Sequence, residues 1–226
     1  MRYVLYRPNS SILKQAGFGA IAHIPCIFSE DWNYQREASR YLRQRALGQA
    51  LPLDTLAKIP TSQSLVTIGR WLTDFLTWCD WAGTTWKEVE YIRDIILRYQ
   101  QSMRSGAWSV SQTALASSTI NNRVGEAVNY CAWAVRVGLR EKPFDIPYET
   151  TYRKSHGLTS HSRSLMAVRS RKQSVRSKPR DLVLPSEQKV ADWLHSVKVG
   201  LGKTKNLMCR LTVEVGLRRQ EVVEWD

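Results

Sequence analysis

A chain of 226 residues, 43% of them hydrophobic, is long enough to bury one core or two, and ordinary domain sizes favour two modest units. Its formal charge of +13, with a pI near 9.9, points to a polyanionic partner. Nucleic acid comes first, because each neutralised phosphate releases counterions and adds sequence-independent affinity. An acidic membrane surface ranks behind it: there is no run of 18 apolar residues, and Met1 to Ile27 lacks a secretion signal's order of basic start, apolar core and cleavage site.

Before residue 60, Tyr3 to Tyr6 and Ala20 to Phe28 are predicted as short strands. Trp32 to Leu47 is predicted as a helix carrying Tyr34, Tyr41 and the basic Arg36, Arg40, Arg43 and Arg45. This 1–60 segment is set apart as a unit whose role is not legible, since no zinc spacing or Gly-rich loop marks it. From Thr61 the pattern turns helical. Leu65, Ile68, Leu72, Phe75, Leu76 and Cys79 recur at three and four, predicting an amphipathic helix that ends before Gly83. Val89, Ile92, Ile95, Ile96, Tyr99 and Met103 predict a second helix from about Trp86 to Arg104, with Gly106 close behind. After a Ser/Thr-rich loop, Ser118 or Thr119 is placed to cap a third helix. Its apolar side is Ile120, Val124, Ala127, Val128, Cys131 and Val135, and Gly138 stands where it should stop. Three helices with short connections make a small bundle over 61–147.

The nine tryptophans invite a base-stacking hypothesis. Trp71, Trp78, Trp81, Trp86 and Trp133, however, lie in or beside amphipathic helices, so core packing is the better expectation. Between Tyr152 and Arg180 the chain is most basic. Arg153, Lys154, Arg163, Arg169, Arg171, Lys172, Arg176, Lys178 and Arg180 face no acidic residue there. Serines and the absence of sustained apolar periodicity predict an extended, mobile linker over 148–181, suited to lie along a phosphate backbone and order on contact. The four cysteines, Cys26, Cys79, Cys131 and Cys209, are scattered without a Cys-x-x-Cys pair. They read as small core residues of a reducing cytoplasm, and their spacing gives no metal site.

After Asp181, Leu182 to Leu184 is expected as a short extended entry. Pro185 and Ser186 start a helix with a buried side of Val190, Trp193, Leu194 and Val197, and a second helix runs from about Thr204 to Val215. Gly216 ends it, and an arginine-led helix follows. There Arg218 and Glu221 stand three apart, so they share a face and the carboxylate can orient the guanidinium. A planar guanidinium suits two oxygens of one phosphate and stabilises charge on its non-bridging oxygens during phosphoryl transfer.

The run Val215-Gly216-Leu217-Arg218-Arg219-Gln220-Glu221-Val222 resembles the first catalytic box of the tyrosine recombinases, the phage integrase family. Arg218 falls on the family's phosphate-holding arginine and Glu221 on its acidic position. Val215 and Val222 replace the usual threonine and leucine or isoleucine. Upstream, Phe75 to Cys79, Trp86, Ser117 to Arg123 and Tyr130 to Ala134, closed by Gly138 and Pro143, are similar to the family's helical core-binding domain. Residues 182–226 resemble the start of its catalytic domain. The resemblance covers roughly residues 60 to 226 and implies a mainly α fold. Its parts would be a helical-bundle core-binding domain, a basic linker and the incomplete helical start of an α+β catalytic domain. It also implies double-stranded DNA as the partner, with Arg123 among the contacts, no cofactor or metal, bacterial nucleoid-associated work, and self-assembly on DNA in the full-length protein. Chemistry in the family proceeds by a tyrosine attacking a phosphodiester, giving a 3′-phosphotyrosyl link. A lysine on a β-hairpin, a His-x-x-Arg box and that tyrosine all follow the first arginine there. All nine tyrosines here precede Arg218, so the chain is expected to be an amino-terminal portion that binds DNA without cleaving it. A non-catalytic DNA-binding protein or regulator derived from a recombinase, and a helical interaction module whose charge only keeps it soluble, stand as alternatives.

Overall fold

A computed structural model describes residues 2–50, 59–154, 165–175 and 185–216. The chain is mainly helical and divides into two units, Met1–Ser177 and Lys178–Asp226.

The first unit begins with an antiparallel pair, β1 (Tyr3–Tyr6) and β2 (Cys26–Ser29), in register Tyr3 with Ser29 and Tyr6 with Cys26. Between them run a short helix α1 (Ser10–Gln15), capped by the Asn9 side chain, and a 3₁₀ turn at Gly19–Ile21. The second strand is thus shorter than the predicted Ala20–Phe28, because its first residues are taken by that turn. The helix expected from Trp32 begins later, as α2 (Arg36–Ala46). Trp32 is left-handed, at φ 61°, and the Gln35 N–H is spent on Ile27 O at 2.9 Å, so the helix cannot open before that bond is made.

Helix α3 (Ser62–Trp81) follows its sequence signals closely. The Thr61 side chain accepts from Ser64 N–H at 3.2 Å, and at the other end Thr84 N–H closes on Cys79 O at 2.9 Å across Gly83, whose φ is +65°. Gly69 on its face lets β1 close in: a Cβ there would lie 2.6 Å from Leu5 Cδ1. The second bundle helix starts at Tyr91, five residues after the predicted Trp86. Thr85 to Val89 forms a turn instead, and Glu90 is extended, with its N–H held by Asp94 Oδ2 at 2.8 Å. Tyr91–Gln100 is wound wide, with Ile95 N–H reaching Glu90 O at 3.1 Å. It continues as α4 (Gln101–Ser105). Helix α5 (Ser117–Arg136) is capped by Ala116 without a side-chain bond, not by Ser118 or Thr119. Ala116 is already extended and offers its carbonyl to Ile120 N–H at 3.0 Å, so both hydroxyls fall inside the helix. Gly138, at φ +71°, ends it as expected.

These elements share one core, and the expected break near residue 60 does not separate two. Ile27, Tyr41 and Leu42 pack in one cluster with Leu65, Leu72, Phe75, Tyr99, Tyr130 and Trp133. The Tyr41 ring lies 5.2 Å from Trp133 and 5.3 Å from Tyr130, and Trp133 Nε1 donates to Gln44 Oε1 at 2.6 Å. The aromatic side of α2 has its complement on α5, so the amino-terminal segment completes the bundle. Trp78 and Trp133 are buried, and Trp71 and Trp86 pack against the cluster. Trp81 departs from the core expectation, being 63% exposed. Cys79 and Cys131 are buried in the core, whereas Cys26 and Cys209 are half-buried.

The basic stretch expected to be an extended, mobile linker contains an antiparallel hairpin, β3 (Tyr148–Lys154) with β4 (Leu165–Arg171), in register Tyr148 with Arg171 and Lys154 with Leu165. Tyr148, Thr150, Tyr152 and the run Leu165-Met166-Ala167-Val168 supply β-compatible residues on both strands. After it the chain is pinned to the bundle. Tyr91 Oη donates to Lys172 O at 2.7 Å and Gln100 Nε2 to Gln173 O at 3.1 Å. The Asn121 side chain clasps Val175 through both its amide nitrogen and its oxygen, at 2.8 and 2.9 Å.

In the second unit, α6 (Glu187–Leu201) is capped by Ser186, and α7 (Lys203–Arg210) follows across Gly202, at φ +87°. Asn206 Nδ2 ties the two through Leu194 O at 2.6 Å. A last wide turn, Leu211–Val215, ends at Gly216 with φ +77°, so the helix stop placed there by sequence is present. Among the described residues of this unit only Val197 is buried, while Trp193, Leu207 and Val215 stand exposed.

Candidate nucleic-acid interface

Arg70, Thr73, Asp74 and Thr77 recur at three and four on α3 and therefore share a face. Beside that face Tyr3 N–H donates to Thr77 Oγ1 at 3.2 Å, which brings Arg2 alongside. From α5 comes Arg123, and the loop after α4 supplies Trp108, Ser109 and Ser111. Together they line an open cleft of about 800 Å³.

The Asp74 carboxylate organises the floor. It accepts from Tyr99 Oη at 2.6 Å, from Arg123 Nη1 at 2.8 Å and from Trp108 Nε1 at 3.3 Å. Arg123 is thus held in one orientation, with its Nε buried and unpartnered. Arg2 and Arg70 are exposed, so three guanidiniums outweigh the one carboxylate of the cleft. A permanently charged, preoriented fork of this kind suits phosphate oxygens.

The far wall is a folded loop. Gly106 sits at φ +85°, where a Cβ would be 2.7 Å from Gln112 O, so only glycine lets the loop close. Trp108 N–H returns to Ser102 O at 3.0 Å and Leu115 N–H to Met103 O at 3.1 Å. The hydroxyls of Ser109, Ser111 and Thr113 form a chain with spacings of 3.1 and 2.7 Å. Trp81 packs its ring 5.4 Å from Trp108. Nearby, burial raises the Tyr3 phenol to about 12, with the charge and hydrogen bond of Asp80 adding to it, so Tyr3 stays neutral.

Of the residues singled out by sequence, Arg123 stands in this cleft. Arg171 turns inward: its Nη2 donates to Asn121 O at 3.2 Å, it lies against Gly125, and burial lowers its guanidinium below the usual arginine value. Its role in the structure is to fasten the hairpin to α5. Lys172 is exposed beside it. Arg153 and Lys154 lie on β3 and Arg169 on β4. Arg163, Arg176, Lys178, Arg180, Arg218 and Glu221 fall outside the described residues.

Sequence reasoning missed Arg2, Arg70, Asp74 and Trp108. The polar stripe at 70, 73, 74 and 77 beside the apolar face of α3 was the available signal, whereas nothing local marks Arg2. Among the described residues no group of three or more His, Cys, Asp or Glu side chains is placed to hold a metal ion, and no helix is long and apolar enough to cross a membrane. No protein-family model, no curated protein and no solved structure matches the chain.

Proposed function

We propose that this chain is the DNA-binding portion of a site-specific tyrosine recombinase, whose bundle grips the phosphate backbone through the cleft of Arg2, Arg70 and Arg123. The single observation that carries DNA binding is that cleft: three arginines, one of them fixed by a carboxylate, on a protein of net charge +13. The basic hairpin and the residues after it add further phosphate contacts. Support for the recombinase assignment comes from the sequence Gly216-Leu217-Arg218-x-x-Glu221 and from the left-handed glycine that ends a helix immediately before it.

In the complete enzyme Arg218 would hold the scissile phosphate and Glu221 would orient it. Strand cleavage would form a 3′-phosphotyrosyl link and free a 5′-hydroxyl. The test is to read the natural gene past codon 226. A His-x-x-Arg box followed by a tyrosine, with DNA joining lost in Arg218→Ala of that longer protein, is the expected result. A reading frame lacking both would leave a DNA-binding protein derived from a recombinase and refute the catalytic half of the proposal.

A further inference from the structure

We infer that the Trp81 and Trp108 rings stack an unpaired base of the DNA whose phosphates occupy the arginine cleft, so that the site favours single-stranded or locally unpaired DNA over intact duplex. This rests on the nucleic-acid reading proposed above. Core packing accounts for Trp71, Trp78, Trp86 and Trp133 and for the inner side of Trp108; of the exposed tryptophans, Trp32 (68%), Trp81 (63%) and Trp193 (48%), Trp81 is the one whose ring lies against Trp108 at the cleft.

Its exposure does not come from a frayed end. Trp81 is the last residue of α3, the turn beyond it is closed by Gly83, and Arg98 Nη2 fixes the adjoining Ala82 carbonyl at 2.8 Å. Trp108 is fixed as well, by its backbone bond to Ser102 O at 3.0 Å and its indole bond to Asp74 Oδ2 at 3.3 Å. Asp74 also holds Arg123 through its other oxygen at 2.8 Å. One carboxylate therefore sets both an aromatic face and a cation, the two groups that a nucleotide needs at its base and at its phosphate. Stacking is tolerant of sequence because every base has a π face, but a base inside an intact duplex offers that face only to its neighbours. The positive charge of the cleft selects this polyanionic occupant over an apolar or cationic peptide.

The test uses the full chain and three fluorescein-labelled probes in one buffer: a 20-residue oligo(dT), a mixed-sequence 20-bp duplex, and the same duplex carrying a two-base bulge. The single strand and the bulged duplex are expected to bind about tenfold more tightly than the intact duplex, the size of one stacked base. They should also quench the intrinsic tryptophan fluorescence. Trp81→Ala should bring the bulged-to-intact affinity ratio close to one, and Trp81→Phe should restore part of it. Equal binding of all three probes, or an unchanged ratio in Trp81→Ala, overturns the stacking inference and leaves the arginine cleft standing. Absence of binding to all three overturns the nucleic-acid reading itself.

Discussion

Asp74→Ala is expected to destabilise the first unit by about 1–4 kcal/mol. Tyr99 is fully buried, and its hydroxyl has Asp74 Oδ2 as acceptor at 2.6 Å. Leaving such a donor stranded costs about 1–3 kcal/mol. The Arg123 pair, with each side chain about a quarter exposed, adds up to about 1 kcal/mol after solvent screening. The long 3.3 Å bond from Trp108 adds little. In a chain of this size the loss should appear as a fall in Tm of roughly 2–16 °C by circular dichroism, with a matching shift in urea midpoint. The mechanism predicts more than the single value. Tyr99→Phe removes the donor that Asp74→Ala strands, so the double variant should cost about 1–2 kcal/mol less than the sum of the two single changes. Strict additivity, or a loss under about 0.5 kcal/mol for Asp74→Ala, would refute the role given to this carboxylate.

Gly106→Ala should cost about 1–3 kcal/mol, because the left-handed backbone and the 2.7 Å approach to Gln112 O both resist a Cβ; urea denaturation checks the cost, and Trp108 emission reports whether the loop has moved. Burial raises the Glu126 carboxyl above its ordinary value of 4.5, against the opposing hydrogen bond from Tyr41 Oη at 2.5 Å. A raised acid gives stability that is full below that ordinary value and lost as pH rises through the folded one. Glu126→Gln should therefore gain on the wild type in urea midpoints as pH rises above that ordinary value, and parallel pH profiles would contradict it. Asp94 behaves oppositely. Burial pushes its carboxyl up, but bonds from Arg93, the Glu90 N–H and Arg98 outweigh burial, and the net shift is down. Its contribution is present above the ordinary value of 3.8 and fades as pH falls. Asp94→Ala should cost about 1–3 kcal/mol at neutral pH and progressively less in acid, as read by the same urea midpoints.

What the sequence made legible follows from how local each signal is. Helix α3 could be bounded from Thr61 and Gly83 because a capping hydroxyl and a left-handed glycine act within a turn of their own positions. The place of the first 50 residues could not, since Tyr41 reveals its partner only when Trp133 and Tyr130 fold against it. The hairpin was hidden by composition: sixteen of the residues 153–180 are arginine, lysine or serine, and they mask the β-compatible Leu165 to Val168. Arg123 was legible as a basic residue opening a helix. Arg171, equally basic, proved to be a fastener because its environment is set by a strand pairing across the hairpin and by α5. Asp74, which unites the cleft, carries no motif. Its meaning lies in three donors converging from separate elements.

The most direct test of the central claim is the salt dependence of duplex DNA binding by the wild type and by the combined Arg2→Ala, Arg70→Ala, Arg123→Ala variant, followed by fluorescence anisotropy. A phosphate grip predicts that affinity falls steeply with salt in the wild type, and that the slope of log affinity against log salt becomes shallower by about 3 in the variant, near 0.9 for each lost phosphate contact. A wild type whose binding is weak and insensitive to salt, or a variant whose slope is unchanged, would contradict the account.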